Sequence, residues 1–166
     1  MIRTTIISLI ITLFPVLSQA QGFLHTQGKY IYNGSNEEVI LRGIGTGNWM
    51  IQEGYMMQTA DVAGTQHEIR QKLINTMGVT KTDSFYSAWL HDQFTRTDVD
   101  SLKSWGFNSI RVAMHYKWFT LPIEDEPVAG ENTWLTTGFD LIDSLLSWCT
   151  QNQNECMRVA YQMSTL

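Results

Sequence analysis

The segment from Leu102 to Val112 constrains the fold more than any other part of this chain. Up to residue 105, apolar residues recur at every third position, which is typical of one face of a helix over residues 97–105. Gly106 then stands where a helix stop favours a residue with positive φ, and a short apolar run over 107–114 follows. Such a run is typical of a parallel strand that is covered on both faces. The helical residues that share the spacing are Val99, Leu102 and Trp105.

Arg111 lies inside that apolar run. A charge in a strand covered on both faces is costly unless another group pairs with it. That cost makes Arg111 the first candidate for a functional residue. The alternative is an arginine that only pairs with an acid of a neighbouring strand.

The first twenty residues indicate a secretory signal peptide. Arg3 precedes an apolar run over residues 6–17, and Ser18-Gln19-Ala20 places small residues at the −3 and −1 positions of a cleavage site. An uncleaved anchor helix is the alternative, but the run is shorter than the roughly 20 residues that a membrane span needs. We therefore expect cleavage after Ala20, a secreted or periplasmic protein, and no membrane association afterwards.

Charge and length narrow the class of protein. Cleavage would leave 146 residues, enough for one ordinary core, and the loss of Arg3 would change the net charge from −5 to −6. Clusters of basic residues, which phosphate binding requires, are absent, so we expect no nucleic-acid partner. Cys149 and Cys156 could form a disulfide in an oxidising compartment, or Cys149 could be a buried thiol. Their spacing matches no metal site, and we expect neither metal nor cofactor.

The order of elements indicates an α/β fold. Two β-rich runs, 30–32 and 39–41, flank an Asn-Gly turn and predict a hairpin whose second strand leads into a glycine-rich loop. Helical patterns follow over 50–96, where Thr65-Gln66-His67-Glu68 has the form of a capping box, and again over 138–149. A strand, a helical insertion, a strand, a long loop and a helix form a βαβα order, which predicts a parallel sheet. The polar residues after Cys149 predict no third strand, so the architecture is expected to stop after two units.

Two motifs resemble a known family. Residues 41–44 with 47–49, followed by 106–111, resemble the amino-terminal part of glycoside hydrolase family 5, the cellulase family. Its members are (β/α)8 barrels that cleave β-glucans, mannans and related chains with retention. The resemblance covers residues 23–151 and implies a partial barrel of two βα units behind an amino-terminal β-hairpin. One departure is Gly45, where the family often has asparagine, which weakens a substrate-binding role for that position.

The resemblance implies a role for Arg111. In the family this arginine hydrogen-bonds the nucleophilic glutamate, and a guanidinium can keep such a carboxylate ionised and oriented. His115 and Tyr116 follow the second strand, on the face where barrel sites are built, or they serve only as packing groups. The loop tryptophans could stack on sugar rings, or they could only pack their own loops. These tryptophans are Trp49, Trp118 and Trp134.

The carboxylates of a retaining mechanism are not evident. Such hydrolysis needs two of them roughly 5 Å apart, which in the family follow the fourth and seventh strands. A barrel of this class takes roughly 250 residues. None of the acids considered for this role ends a buried strand, because they lie in turns and loops: Glu37, Glu38, Glu53, Glu124, Asp125, Glu126 and Glu131. We therefore expect the amino-terminal part of a barrel over 21–151, inactive alone. The atypical tail over 152–166 would reflect a frameshift or a truncation.

Three hypotheses follow for function. The first is part of a secreted retaining glycoside hydrolase whose partner is a β-linked polysaccharide or oligosaccharide. The second is a non-catalytic carbohydrate-binding protein that uses the loop aromatics. The third is a small structural α/β domain without a sugar function.

Overall fold

The structure is a computed structural model that describes residues 23–151 and the backbone of residues 158–164. The expected signal peptide over 1–20 and Cys156 lie outside the described residues, so cleavage and a disulfide to Cys149 stay predictions. Within the described residues, no helix has both the length and the apolar character that crossing a bilayer requires. The chain divides into two units, Met1–Ile40 and Leu41–Leu166.

The described part of the first unit is a small antiparallel ribbon. Strand β1 (His25–Gln27) pairs with β2 (Tyr30–Tyr32), and Gly28 in the connecting turn has a φ of 62°. The hairpin expected across the Asn-Gly turn is reduced to an isolated bridge between Tyr32 and Glu38. The reason lies in Asn33, whose Oδ1 accepts the backbone N–H groups of Ser35 and Glu37 and widens the turn.

The second unit contains a three-stranded parallel sheet in the order β3-β4-β5. These strands are β3 (Gly43–Gly45), β4 (Ser109–His115) and β5 (Arg158–Ser164). The expectation that the architecture stops after two units is therefore wrong. Every residue of β4 pairs with β5, which satisfies backbone groups that would otherwise lie on an open edge. The α/β class is confirmed, and a closed barrel stays a prediction.

The glycine-rich segment is itself a strand. The sequence predicted a strand over 39–41 that leads into a glycine loop, but β3 begins only at Gly43. A Cβ at Gly43 would lie 2.7 Å from Ser109 Oγ on the paired strand. The absence of side chains at the glycines therefore makes room for the residues of β4.

The helices of the second unit follow the local signals closely. They are α1 (Gly54–Met57), α2 (Gln66–Met77), α3 (Val79–Asp92), α4 (Arg96–Ser104) and α5 (Thr136–Gln151). The capping box at α2 is confirmed: Glu68 N–H donates to Thr65 Oγ1, and Glu68 Oε2 accepts from Thr65 N–H. Hydrogen bonds from the backbone N–H groups of Gly64 and Thr65 lower the pKa of Glu68.

Helix α4 and its stop also match the sequence, with one exception. The helix begins after Thr95, whose backbone N–H and hydroxyl both donate to Asp98 Oδ2, and Gly106 has the expected positive φ of 84°. Val99 and Leu102 are buried, but Trp105 is 72% exposed. The expectation that Trp105 lies on the buried face is wrong because it caps the end of the helix, where the spacing no longer holds.

Strand β4 is buried along one face, whereas its other face is exposed at Arg111 and buried at His115. Ile110, Val112 and Met114 are buried, whereas Arg111 between them is exposed. The core cluster joins these strand residues to apolar residues of α4 and α5. The expectation of a strand buried on both faces is therefore wrong at Arg111, which does not carry the cost of a buried charge. Over residues 109–112 the burial alternates as in a sheet with one covered face.

Candidate functional site

The carboxyl ends of β3 and β4 meet at one edge of the sheet because the two strands are parallel. Thr46 to Trp49 follow β3, and a 3-10 turn over Tyr116–Trp118 follows β4. An isolated parallel bridge between Met50 and Met114 holds the loop after β3 beside β4. The edge therefore brings the loop of Trp49 beside the segment from His115 to Trp118.

Trp49 packs into the core. Its side chain is 1% exposed, its indole N–H donates to the carbonyl of Leu90 at 2.8 Å, and its ring centroid lies 5.3 Å from that of Phe94. A ring enclosed in this way is not open to a sugar face. The structure therefore gives Trp49 the role of fastening the loop after β3 to α3.

His115 is also enclosed. Its side chain is fully buried, and its Nδ1 accepts the backbone N–H of Lys117 at 3.3 Å. The ring stacks on Tyr116 with centroids 4.7 Å apart and forms a T-shaped pair with His67 at a centroid distance of 5.3 Å. His115 thus shapes the turn after β4, and the partly buried Tyr116 covers it.

Trp118 lies at a surface. It is partly buried, and its indole N–H donates to the carbonyl of Met50 at 2.7 Å, which fixes the ring at the strand edge. It lines a cleft of about 430 Å³ between α2, α3 and the segment after β4. Trp134, the third loop tryptophan, is 64% exposed and does not line this cleft.

Two cations lie over aromatic rings in this cleft. The Nζ of Lys117 lies 4.4 Å from the ring centroid of Trp118 and 4.7 Å from that of Tyr86. The Cζ of Arg70 lies 5.5 Å from the same Tyr86 ring, and its Nη2 is 2.7 Å from Asp83 Oδ1. Burial, with a contribution from the charge of Arg70, lowers the pKa of Lys117 to about 8. The two cations therefore make the cleft locally positive.

A buried polar network lies behind Tyr86. Its hydroxyl donates to Gln52 Oε1 at 2.7 Å, and the backbone N–H of Gln52 donates to Gln66 Oε1 at 2.6 Å. Burial raises the pKa of Tyr86 to about 12. Within the described part of the chain, the side-chain nitrogens of both glutamines and Thr46 Oγ1 are buried without a hydrogen-bond partner. Such groups are destabilising, so this network fixes the position of Tyr86 at a cost.

Arg111 is exposed and does not line the cleft. It is paired in register with Gly45, and strand alternation places it on the same face of β4 as His115. No carboxylate of residues 23–151 lies within ion-pair distance of its guanidinium. The structure thus leaves the expected partner of Arg111 unidentified.

Acidic residues are missing from the carboxyl ends of β3 and β4. Thr46 follows β3 and Tyr116 follows β4, so neither end carries a carboxylate. One acid of the loop after β4 stabilises the loop itself: Glu126 accepts the backbone N–H of Thr133 at 2.8 Å. The described residues also hold no group of three or more His, Cys, Asp or Glu side chains that could bind a metal ion.

Sequence reasoning identified Trp118 but missed Arg70, Tyr86 and Lys117. These residues come from α2, α3 and the turn after β4, so no single motif contains them. The one local signal was the lysine between Tyr116 and Trp118, a cation with aromatic neighbours in a loop after a parallel strand.

Comparison with known proteins gives distant relatives, and no family model matches the chain. The chain is 29% identical over 131 residues to a beta-xylosidase of Phanerodontia chrysosporium, across 79% of this chain and 26% of the relative. It is 25% identical over 123 residues to a glucan 1,3-beta-glucosidase of Candida oleophila, across 68% and 26%. It is 22% identical over 142 residues to glucan 1,3-beta-glucosidase 1 of Schizosaccharomyces pombe, across 82% and 32%. The chain therefore spans less than a third of the length of each of these relatives.

Proposed function

We propose that this chain is part of a glycoside hydrolase that acts on β-linked sugars. The observation that carries the proposal is the similarity to the beta-xylosidase and the two glucan 1,3-beta-glucosidases, which extends over 68% to 82% of this chain. The parallel α/β sheet, with aromatic residues after the carboxyl end of β4, supports the same class.

At a finer level, we place the chain in glycoside hydrolase family 5. Residues 41–151 would then supply the first two βα units of a (β/α)8 barrel, of which β3 and β4 are the strands. The parallel register of these strands and the motif from Gly106 to Arg111 support this assignment. The substrate would be a polysaccharide or oligosaccharide joined by β-linkages.

Arg111 would act as a positioning residue in this enzyme. Its guanidinium would face the inside of the barrel and keep the nucleophilic carboxylate ionised and oriented. Its exposure, with Gly45 opposite it on β3, leaves room on that side for a carboxylate from another part of the protein. Retaining hydrolysis needs a pair of carboxylates roughly 5 Å apart.

The 166 residues alone would bind sugar without cleaving it. Neither described strand end of β3 or β4 carries an acid, so the carboxylate pair would have to come from elsewhere. Tyr116 and Trp118 are the best placed sugar contacts, because both are partly exposed at the strand edge. The enclosed Trp49 and His115 would instead hold the two loops in place. We further propose export by a signal peptide over residues 1–20, with no cofactor needed for hydrolysis.

Calorimetric titration with defined oligosaccharides tests this function. The purified chain should bind β-1,4-xylohexaose or β-1,3-glucohexaose and should not bind the α-1,4-linked glucohexaose. A folded chain that binds none of the three would favour a structural domain without a sugar function. A reducing-sugar assay on the same samples should detect no product, since the carboxylate pair is missing from the described strand ends.

The second candidate is a non-catalytic carbohydrate-binding protein. The observation that favours it is the same lack of acids after β3 and β4 within the described residues. It differs in what Arg111 does, since a binding protein has no nucleophile to orient. Arg111→Lys in the protein as its source produces it would reduce hydrolysis in the first case. In the second case there would be no hydrolysis to reduce.

A further inference from the structure

The cleft between α2, α3 and the turn after β4 has an unusual charge for this protein. The whole chain has a net charge of −5, yet the cleft is lined by the cations Lys117 and Arg70 against the single carboxylate of Asp83. Asp83 is committed to Arg70 through an ion pair of 2.7 Å. The ammonium of Lys117 has no carboxylate within ion-pair distance among residues 23–151. The cleft therefore has one positive charge in excess.

Aromatic rings hold the ammonium of Lys117 at this position. Its Nζ lies within 5 Å of the ring centroids of both Tyr86 and Trp118. Tyr86 is fixed from behind by the hydrogen bond to Gln52, and Trp118 by the hydrogen bond to the Met50 carbonyl. A cation on a long flexible side chain is thus preorganised by rigid partners, which reduces the entropy lost when a ligand binds.

The electrostatic balance favours an anion in the cleft. Burial and the nearby Arg70 lower the pKa of Lys117 to about 8, so its charged form is destabilised although it remains protonated at neutral pH. A carboxylate next to the ammonium would offset both effects. The cleft volume of about 430 Å³ is in the range of small-ligand sites, and its walls combine aromatic rings with polar groups.

We infer that this cleft binds the carboxylate of an acidic sugar, a hexuronate carried on a β-linked polysaccharide, between Lys117 and Arg70. This inference rests on the proposed function for the choice of a sugar and names a substrate class within it. Trp118 would contact the sugar ring, and Lys117 would pair with the carboxylate. The other titratable groups of the cleft are Asp83, His91 and Tyr86.

Calorimetric titration of the full 166-residue chain at neutral pH and low salt tests this site. The probes are β-1,4-xylotriose with a glucuronic acid branch, unbranched xylotriose, free glucuronate and inorganic phosphate. The branched xylotriose should bind about tenfold more tightly than the unbranched one, because a charge-assisted contact is added. Equal affinity for both would overturn the inference while leaving the proposed function intact. Phosphate binding as tight as that of glucuronate would also overturn it, since the cleft would then be a general anion site.

Three variants make the test specific. Lys117→Met should abolish the preference for the acidic ligand, whereas Lys81→Met on the exposed side of α3, outside the cleft, should keep it. Asp83→Asn removes the carboxylate that competes for Arg70, so it should tighten binding of the branched xylotriose about threefold. Because Asp83 is more than half exposed, this variant is expected to fold. Unchanged or weaker binding by Asp83→Asn, or equal loss in the two lysine variants, would contradict the inference.

Discussion

Gly45 lies directly opposite Arg111 in the parallel pairing of β3 and β4, and a Cβ at Gly45 would lie 3.4 Å from Arg111 Nη2. The guanidinium therefore lies beside bare backbone. This relationship explains why a glycine-rich segment forms a strand here, although glycine has no preference for strands. It also indicates that Gly45 tolerates a small side chain, since only the flexible end of Arg111 would have to move.

Two glycine variants should differ sharply in stability. Gly45→Ala should change the free energy of unfolding by less than about 1 kcal/mol, because its backbone needs no positive φ. Gly54→Ala should destabilise the chain by about 1–3 kcal/mol, because the new Cβ would lie 2.6 Å from the carbonyl oxygen of Ala63. Urea denaturation of both variants checks this. Equal destabilisation would mean that the backbone around Gly54 is free to adjust.

Arg111→Leu should have little effect on the stability of this chain. Arg111 is exposed and, among the described residues, has no carboxylate partner, so the free energy of unfolding should change by less than about 0.5 kcal/mol. Ile110→Ala is the control, because the neighbouring Ile110 is fully buried and its truncation should cost about 2–5 kcal/mol. A loss above about 1 kcal/mol for Arg111→Leu would show that the arginine stabilises the fold.

The stability of the chain should depend on pH through Lys117 and Tyr86. The pKa of Lys117 is lowered from 10.5 to about 8, so between these values the unfolded chain holds a proton that the folded chain lacks. The free energy of unfolding should therefore rise above pH 8. The pKa of Tyr86 is raised from 10.0 to about 12, which has the opposite sign and should lower stability above pH 10.

Denaturation midpoints measured between pH 7 and pH 11 should therefore pass through a maximum. In Lys117→Met the rise above pH 8 should disappear, while Lys81→Met, which alters an exposed lysine of α3, should retain it. An unchanged profile in Lys117→Met would show that Lys117 is solvated in the folded chain.

Export should remove the first twenty residues. The charged start, the apolar run over 6–17 and the small residues before the cleavage position predict a mature amino terminus at Gln21. Amino-terminal sequencing of material from the culture medium checks this. Ala20→Arg should block cleavage, since the −1 position requires a small side chain. Recovery of intact Met1 in the soluble fraction would contradict the prediction.

Local signals predicted the parts of the fold that short segments determine. The capping residues Thr65 and Glu68 and the positive φ of Gly106 depend on a few neighbouring residues, and all three were correct. The burial of β4 was not predictable in the same way. Whether a strand is covered on one face or two depends on elements distant in sequence.

The remaining errors have the same origin. Strand β5 pairs with β4 through backbone hydrogen bonds. A strand can form such bonds without the continuous apolar run by which a buried strand is recognised in a sequence. The cleft joins Arg70, Tyr86 and Lys117, which lie far apart in the chain, and only the fold brings their side chains together. Trp49 was a candidate sugar contact because it lies in a loop, but its hydrogen bond to the Leu90 carbonyl turns the ring inward.

A chemical-shift map of the sugar-bound chain tests the central claim most directly. The chain has a mass of 19.0 kDa, which suits two-dimensional NMR. Addition of β-1,4-xylohexaose or β-1,3-glucohexaose should shift the indole N–H signal of Trp118 and the backbone signals of residues 116–118. The indole signal of Trp105, exposed at the end of α4, is the internal control and should stay unchanged. If neither β-linked sugar shifts the Trp118 signals of the folded chain, the assignment to a glycoside hydrolase is contradicted.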